Sequence, residues 1–338
     1  MDDLKLLSEL RADAPEPDAA RLRTLRARSL RPRPRPRRRF RPVLSLPMAT
    51  TAAMTAVAAV AAVVVMVNGD GRSAVPPPAI VEVTPVSAQV MLRQAALTAE
   101  KRRPEDTPPR PGQWLYRKSV VMQPADGAVE TQEYWTRYDG TEQATRLGSG
   151  PLERRTIEPD PGDDDLSPRQ YAARLAKLPT DPDELLAHVK GDLHWRDNPV
   201  EERGLHEDPD ARAFRVLSVY LGREEYMPPK LEAAIFRALA RIPGVRVDLG
   251  VRDAVGRSGM GIAYEADSPG SGTRRDENGE VVERSYVVLD STTYNHLGSR
   301  TEYLRDYRIN GELIFPKGSV FATAEVAAGV VDEPGQVP

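Results

Sequence analysis

There is no cysteine among the 338 residues. This excludes disulfides, a thiol nucleophile and any thiolate metal site, so a folded part must stand on its apolar core alone. Histidine is nearly as scarce. His188, His194, His206 and His296 form neither H-E-x-x-H nor a pair at i, i+4. No zinc ligand set is written along the chain, and no metal or other cofactor is expected. The G-x-S-x-G elbow and the phosphate-binding loop are also missing. "GRSGMG" at 256–261 has glycines without the G-x-G-x-x-G spacing, and it reads as a hairpin with close backbone packing. Four aspartates fall within 160–165. Counted from Asp160 as a calcium loop, the sixth position is Asp165 instead of Gly and the twelfth is Tyr171 instead of Glu. A solvated acidic loop is the expectation there.

Charge is absent from Val43 to Val67. A helix needs roughly 20 apolar residues to cross a bilayer core of about 30 Å, and in lipid every backbone group must be paired internally. A transmembrane helix is expected over 43–67, with Pro47 near its start. Immediately before it stand Arg31, Arg33, Arg35, Arg37, Arg38, Arg39 and Arg41. Residues 1–42 carry a net charge of +7 and residues 43–338 a net charge of −10. Basic residues beside a span stay in the cytoplasm. The expected placement is therefore the cytoplasmic membrane, with the N-terminus inside and the C-terminal domain outside. The arginines set this topology and contact anionic lipid headgroups, at about 1 kcal/mol per basic residue. Arg37–Phe40 also resembles the twin-arginine export signal, so a cleaved leader is the alternative to an anchor. Nucleic acid is not an expected partner, because the basic arm has one aromatic residue, Phe40, on which to stack a base.

The rest divides by composition. Residues 1–42 form a cytoplasmic arm with two short amphipathic stripes, Leu4–Leu7–Leu10 and Leu22–Leu25. Residues 68–111 read as a proline-rich stalk with a helix over 86–101, whose inner face is supplied by Val90, Leu92, Ala96 and Leu97. Residues 112–330 read as an extracytoplasmic α+β domain, and 331–338 as a disordered tail. Within the domain, aromatic and β-branched stretches separated by "DG" turns mark strands. Ser167–Pro168 and Asp181–Pro182 mark helix starts. A helical block, with Leu231, Ile235, Leu239 and Ile242 on one stripe, lies between two strand-forming blocks. The expected fold is a largely antiparallel twisted sheet, half-barrel-like, with helices packed on one face. Trp114, Trp135 and Trp195 are expected in the core. "LDSTTY" at 289–294 is expected to be a turn in which Asp290 and Ser291 bond the local backbone.

Two blocks carry a resemblance. The first holds Pro243 and Gly244, then Asp253, Gly256 and Arg257. The second holds Leu289–Asp290, Thr293–Tyr294 and Leu297–Gly298. With "LLSELRADAPEPDAARLRTLRARSL" and a single span before them, their order resembles an uncharacterised family of single-pass actinobacterial membrane proteins. The outer part of that family resembles the half-barrel of lipoprotein carriers and RseB-like sensors of lipoproteins. The resemblance implies structural roles for these motif positions, a lipid or lipoprotein ligand outside, and a cytoplasmic regulator such as a sigma factor. Residues 1–42 contain neither His nor Cys, so a zinc-type anti-sigma domain is not implied. The expected function is a membrane-anchored binding module and not an enzyme. An anchored hydrolase and a structural protein without ligand are the alternatives. A histidine within reach of Asp290 or Ser291 would favour the hydrolase.

Overall fold

Strands form where apolar and polar residues alternate, and three of the helices begin where Pro follows Ser or Asp. The computed structural model describes residues 83–102, 108–124, 127–158, 166–192, 207–222, 227–266, 272–276, 278–309 and 311–338. The expected arm with its seven arginines, the expected span, the acidic loop, His194, Trp195 and His206 lie outside the described residues. The chain enters on β1 (Thr84–Val86) and α1 (Ala88–Ala99), followed by β2 (Trp114–Met122), β3 (Val129–Arg137), β4 (Glu142–Leu147) and β5 (Glu153–Thr156). Four helices come next: α2 (Pro168–Leu175), α3 (Pro182–Gly191), α4 (Pro209–Leu221) and α5 (Pro229–Leu239). The second strand block is β6 (Val245–Arg252), β7 (Ser258–Tyr264), β8 (Thr273–Arg275), β9 (Val281–Leu289) and β10 (His296–Tyr303). The small hairpin β11 (Tyr307–Ile309) and β12 (Glu312–Phe315) and the long β13 (Val320–Val331) complete the chain.

The fold is α+β, with an 11-stranded antiparallel sheet in the order β1-β6-β7-β9-β10-β13-β2-β3-β4-β5 and β8 attached to β9. The C-terminal strand β13 joins the two strand blocks, pairing with β10 on one side and β2 on the other. The starts of α2, α3 and α4 are capped by side chains. Ser167 and Gln170 form a reciprocal capping box, and the carboxylates of Asp181 and Asp208 each accept two backbone N–H groups.

One face of the sheet shares a core with the helices. Its strand residues come from β6, β7 and β9 (Val247, Met260, Ile262, Tyr264, Val287 and Leu289), with Tyr294 beside them. The α5 stripe Leu231, Ile235, Leu239 and Ile242 is buried against them. Each such large apolar side chain contributes about 1.5–3 kcal/mol on burial.

Two boundaries differ from those read in the sequence. The helix placed in the stalk belongs to the domain: β1 pairs with β6, and α1 packs on α5. Its inner face is Leu92, Ala95, Ala96 and Ala99, while Val90 and Leu97 are exposed. Small alanines let the two helices approach closely, so the buried stripe follows the alanines and not the largest apolar residues. The segment 331–338 also differs from the disordered tail expected. Trp135 Nε1 donates to the carbonyl of Gln336 at 2.7 Å, and Val331 sits in a cluster with Trp114, Tyr116 and Trp135.

Candidate functional site

The two motif blocks meet in space. Asp253 and Arg257 lie in the β6–β7 connection. Asp253 Oδ1 accepts the backbone N–H of Val255 (3.0 Å) and of Arg257 (2.9 Å), and its Oδ2 accepts Arg257 Nε at 2.6 Å. Gly256 sits in the same turn with φ 86. Arg257 Nη2 then reaches the carbonyls of Leu297 on β10 (3.1 Å) and Glu325 on β13 (2.6 Å). One guanidinium thus ties the β6–β7 turn to two other strands. Gly298 follows Leu297 with φ 149, and a Cβ there would lie 2.1 Å from Thr323 O. That contact makes glycine a requirement of the β10–β13 pairing. Gly259 and Gly261 have the same use in β7, where a Cβ would lie 2.3 Å from Leu289 O and 2.6 Å from Val251 Cγ2 respectively.

The β9–β10 turn is also internally bonded. Asp290 Oδ1 accepts the N–H of Thr292 (2.9 Å) and Thr293 (2.7 Å) and the hydroxyl of Thr293 (3.0 Å). These bonds, the Thr293 N–H above all, hold the Asp290 carboxyl below its ordinary value. Tyr294 adopts φ 61 and buries its ring edge-on to Phe236. Pro243 and Gly244 make the tight α5–β6 turn, whose Gly244 carbonyl accepts Glu265 N–H. Every motif position therefore holds a turn or a strand crossing.

His296 lies with Nδ1 3.8 Å from Glu325 Oε2, and Arg117 Nε is 3.4 Å from the same oxygen. Arg117 Nη2 donates to the Gly222 carbonyl at the end of α4 (2.9 Å), which seats that helix end on the sheet. His188 Nε2 is 3.7 Å from Asp192. Asp290 Oδ1 is taken up by its own turn. Among the described residues no group of three or more His, Asp or Glu side chains is placed to hold a metal ion.

Beyond His296, among the described residues, β10, β13, β2 and β3 give no residue to the helical core. Cross-strand pairs share a face, so Val287 and Ser285 on β9 lead to Ser299 and Thr301 on β10, then to Thr323 and Phe321 on β13. Val121 and Ser119 on β2 and Gln132 on β3 continue the row. The hydroxyls pair as a ladder, Ser285–Thr301 at 2.7 Å and Ser299–Thr323 at 2.9 Å. Ser119, Gln132, Tyr134, Ser299, Phe321 and Thr323 are all half-buried. This surface mixes hydroxyls with apolar patches, and Val330 on β13 is 40% exposed. Two surface depressions elsewhere, of ≈ 560 and ≈ 510 Å³, are edged mainly by charged groups such as Arg305 and Asp306, or Arg174 and Asp192. The open face was not read from the sequence; only strand order reveals which residues adjoin. No family model, no curated protein and no solved structure matches this chain.

Proposed function

We propose that this is a single-pass membrane protein whose outer domain is a half-barrel-like binding module for an amphipathic partner, a lipid or a lipidated polypeptide. The observation that carries the reading is the open stretch of sheet from β10 to β3. It offers paired hydroxyls and apolar side chains together, on the face whose other half is already occupied by helices. A lipidated chain presents the complement: backbone groups for the hydroxyls and an acyl chain for Phe321 and Val330. The uncharged run at 43–67 and the arginine run before it support anchoring with the N-terminus inside. In this reading the arm at 1–42 reports to a cytoplasmic regulator of the sigma-factor type.

The test is native mass spectrometry of the full chain, purified from its own membranes under mild conditions. The expected result is extra mass that disappears on solvent extraction and is lost in Phe321→Glu. A bare polypeptide mass, or bound lipid that persists in Phe321→Glu, would overturn the assignment of this face.

A further inference from the structure

The opposite face of the sheet holds charge where a core is expected. Register places Arg300 opposite Tyr286 and Glu302 opposite Arg284. Tyr286 donates its hydroxyl to Asp248 Oδ2 at 3.0 Å, and Arg246 Nε is 2.7 Å from the same oxygen. Arg300 Nε donates to Glu302 Oε1 at 2.6 Å, and its Nη1 to the carbonyl of Arg252 at 3.3 Å. Arg300 is 3% exposed, Glu302 2% and Asp248 0%. Ala322 stands opposite Arg300, and Gly261 stands opposite Asp248, where Val251 and the Tyr286 ring close over it.

Two donors in this cluster have no acceptor among the described residues. They are Arg300 Nη2 and Arg284 Nε, both buried. A buried N–H left unpaired loses its hydration with no return, and the loss is greater for a charged group. With Glu265 and Arg275 at the rim counted, four guanidiniums (Arg246, Arg275, Arg284 and Arg300) face three carboxylates (Asp248, Glu265 and Glu302), which leaves one positive charge in excess. Glu265, at the rim, is shared among Arg246, Arg275 and Arg284. Burial, then the Asp248 charge, push the Tyr286 hydroxyl above its ordinary value, so it remains a neutral donor. Solvent reaches the cluster through Arg284 and Arg246, whose side chains are 14% and 28% exposed.

We propose that the sheet face away from the helices, where Arg284 and Arg300 both lie beside Tyr286, is a binding site for a small oxyanion, a phosphate or carboxylate group. Guanidinium N–H groups match the oxygen spacing of both. The site lies on the other side of the sheet from the surface proposed for the amphipathic partner, and it stands or falls separately.

The test is thermal unfolding of the full chain in detergent micelles, titrated with sodium phosphate or sodium acetate against sodium chloride at matched ionic strength. The expected result is a saturable rise in Tm with at least one oxyanion and none with chloride. Arg284→Gln weakens the apparent affinity by about tenfold or more. Arg300→Met with Glu302→Leu removes the response while taking out both members of the buried pair together. If that double variant does not fold, Arg284→Gln, at the partly exposed rim, decides. A rise with phosphate alone assigns a phosphate-bearing ligand, and a rise with acetate assigns a carboxylate. No saturable rise with either, or an unchanged response in Arg284→Gln, overturns the site.

Discussion

At Gly298 a hydrogen atom in place of a methyl group decides whether two strands can pair. A Cβ there would meet Thr323 O at 2.1 Å and Ala324 Cα at 3.0 Å, and φ is 149. The neighbours are backbone, so they cannot rotate away. Gly298→Ala is expected to cost about 1–3 kcal/mol or more. Gly191→Ala, which meets nothing within 4 Å, should be neutral or stabilising by up to about 1 kcal/mol. Urea midpoints of the two variants check this, and equal losses would contradict the close-approach argument. Glu232 gives a prediction in pH. It is 4% exposed on α5, and burial raises its carboxyl above the ordinary value, with the adjacent Arg102 offsetting part of the rise. The unfolded chain ionises first, at about pH 4.3. The stability this residue contributes is therefore present below that pH and lost as pH rises through the folded value. Glu232→Gln should gain on the wild type across that window and hold the gain to neutral pH. Urea midpoints between pH 4 and 8 that differ by a constant amount would sink the idea.

Among the elements, α1 shows how composition misleads about position. Its surroundings in sequence are rich in proline, and its largest apolar residues suggest a face that solvent in fact wets. Leu92 is fully buried, whereas Val90 is 63% exposed. Leu92→Ala should destabilise the domain by about 2–5 kcal/mol, and Val90→Ala by no more than about 0.5 kcal/mol. Chemical denaturation of both variants checks it. A Leu92→Ala chain as stable as the wild type would return α1 to the stalk. Helix starts, in contrast, are local. Ser167 and Gln170, or Asp181 and Pro182, satisfy orphan N–H groups within one turn, so their sequence is sufficient to locate them.

For the whole molecule, the last strand is what makes one sheet out of two blocks. β13 pairs with β10 and β2, and the segment after it lies against Trp135. Deleting 332–338 removes the Gln336 carbonyl that receives the Trp135 indole N–H and uncovers a fully buried ring. The expected loss is about 1–3 kcal/mol, with a red shift in tryptophan emission. Fluorescence during urea unfolding reads both, and an unshifted spectrum would show the segment to be dispensable.

The α+β class, the antiparallel strands, the capped helix starts, the Asp290 turn and the close packing of the 256–261 hairpin follow from the sequence by itself. Each depends on residues within a few positions of one another: an alternation, a cap, a turn, a glycine pair. The same holds for the expectation of an anchored arm, which rests on charge and hydropathy along the chain. Strand order depends on pairings between residues as far apart as Trp114 and Val331, which no local pattern encodes. So the meeting of Arg257 with Leu297 and Glu325, the hydroxyl face beside the helices, and the two unpaired guanidinium N–H groups on the opposite face were decided by tertiary structure. Side-chain direction in a strand is set by alternation, but what stands across from it is set only when β13 closes between the two blocks.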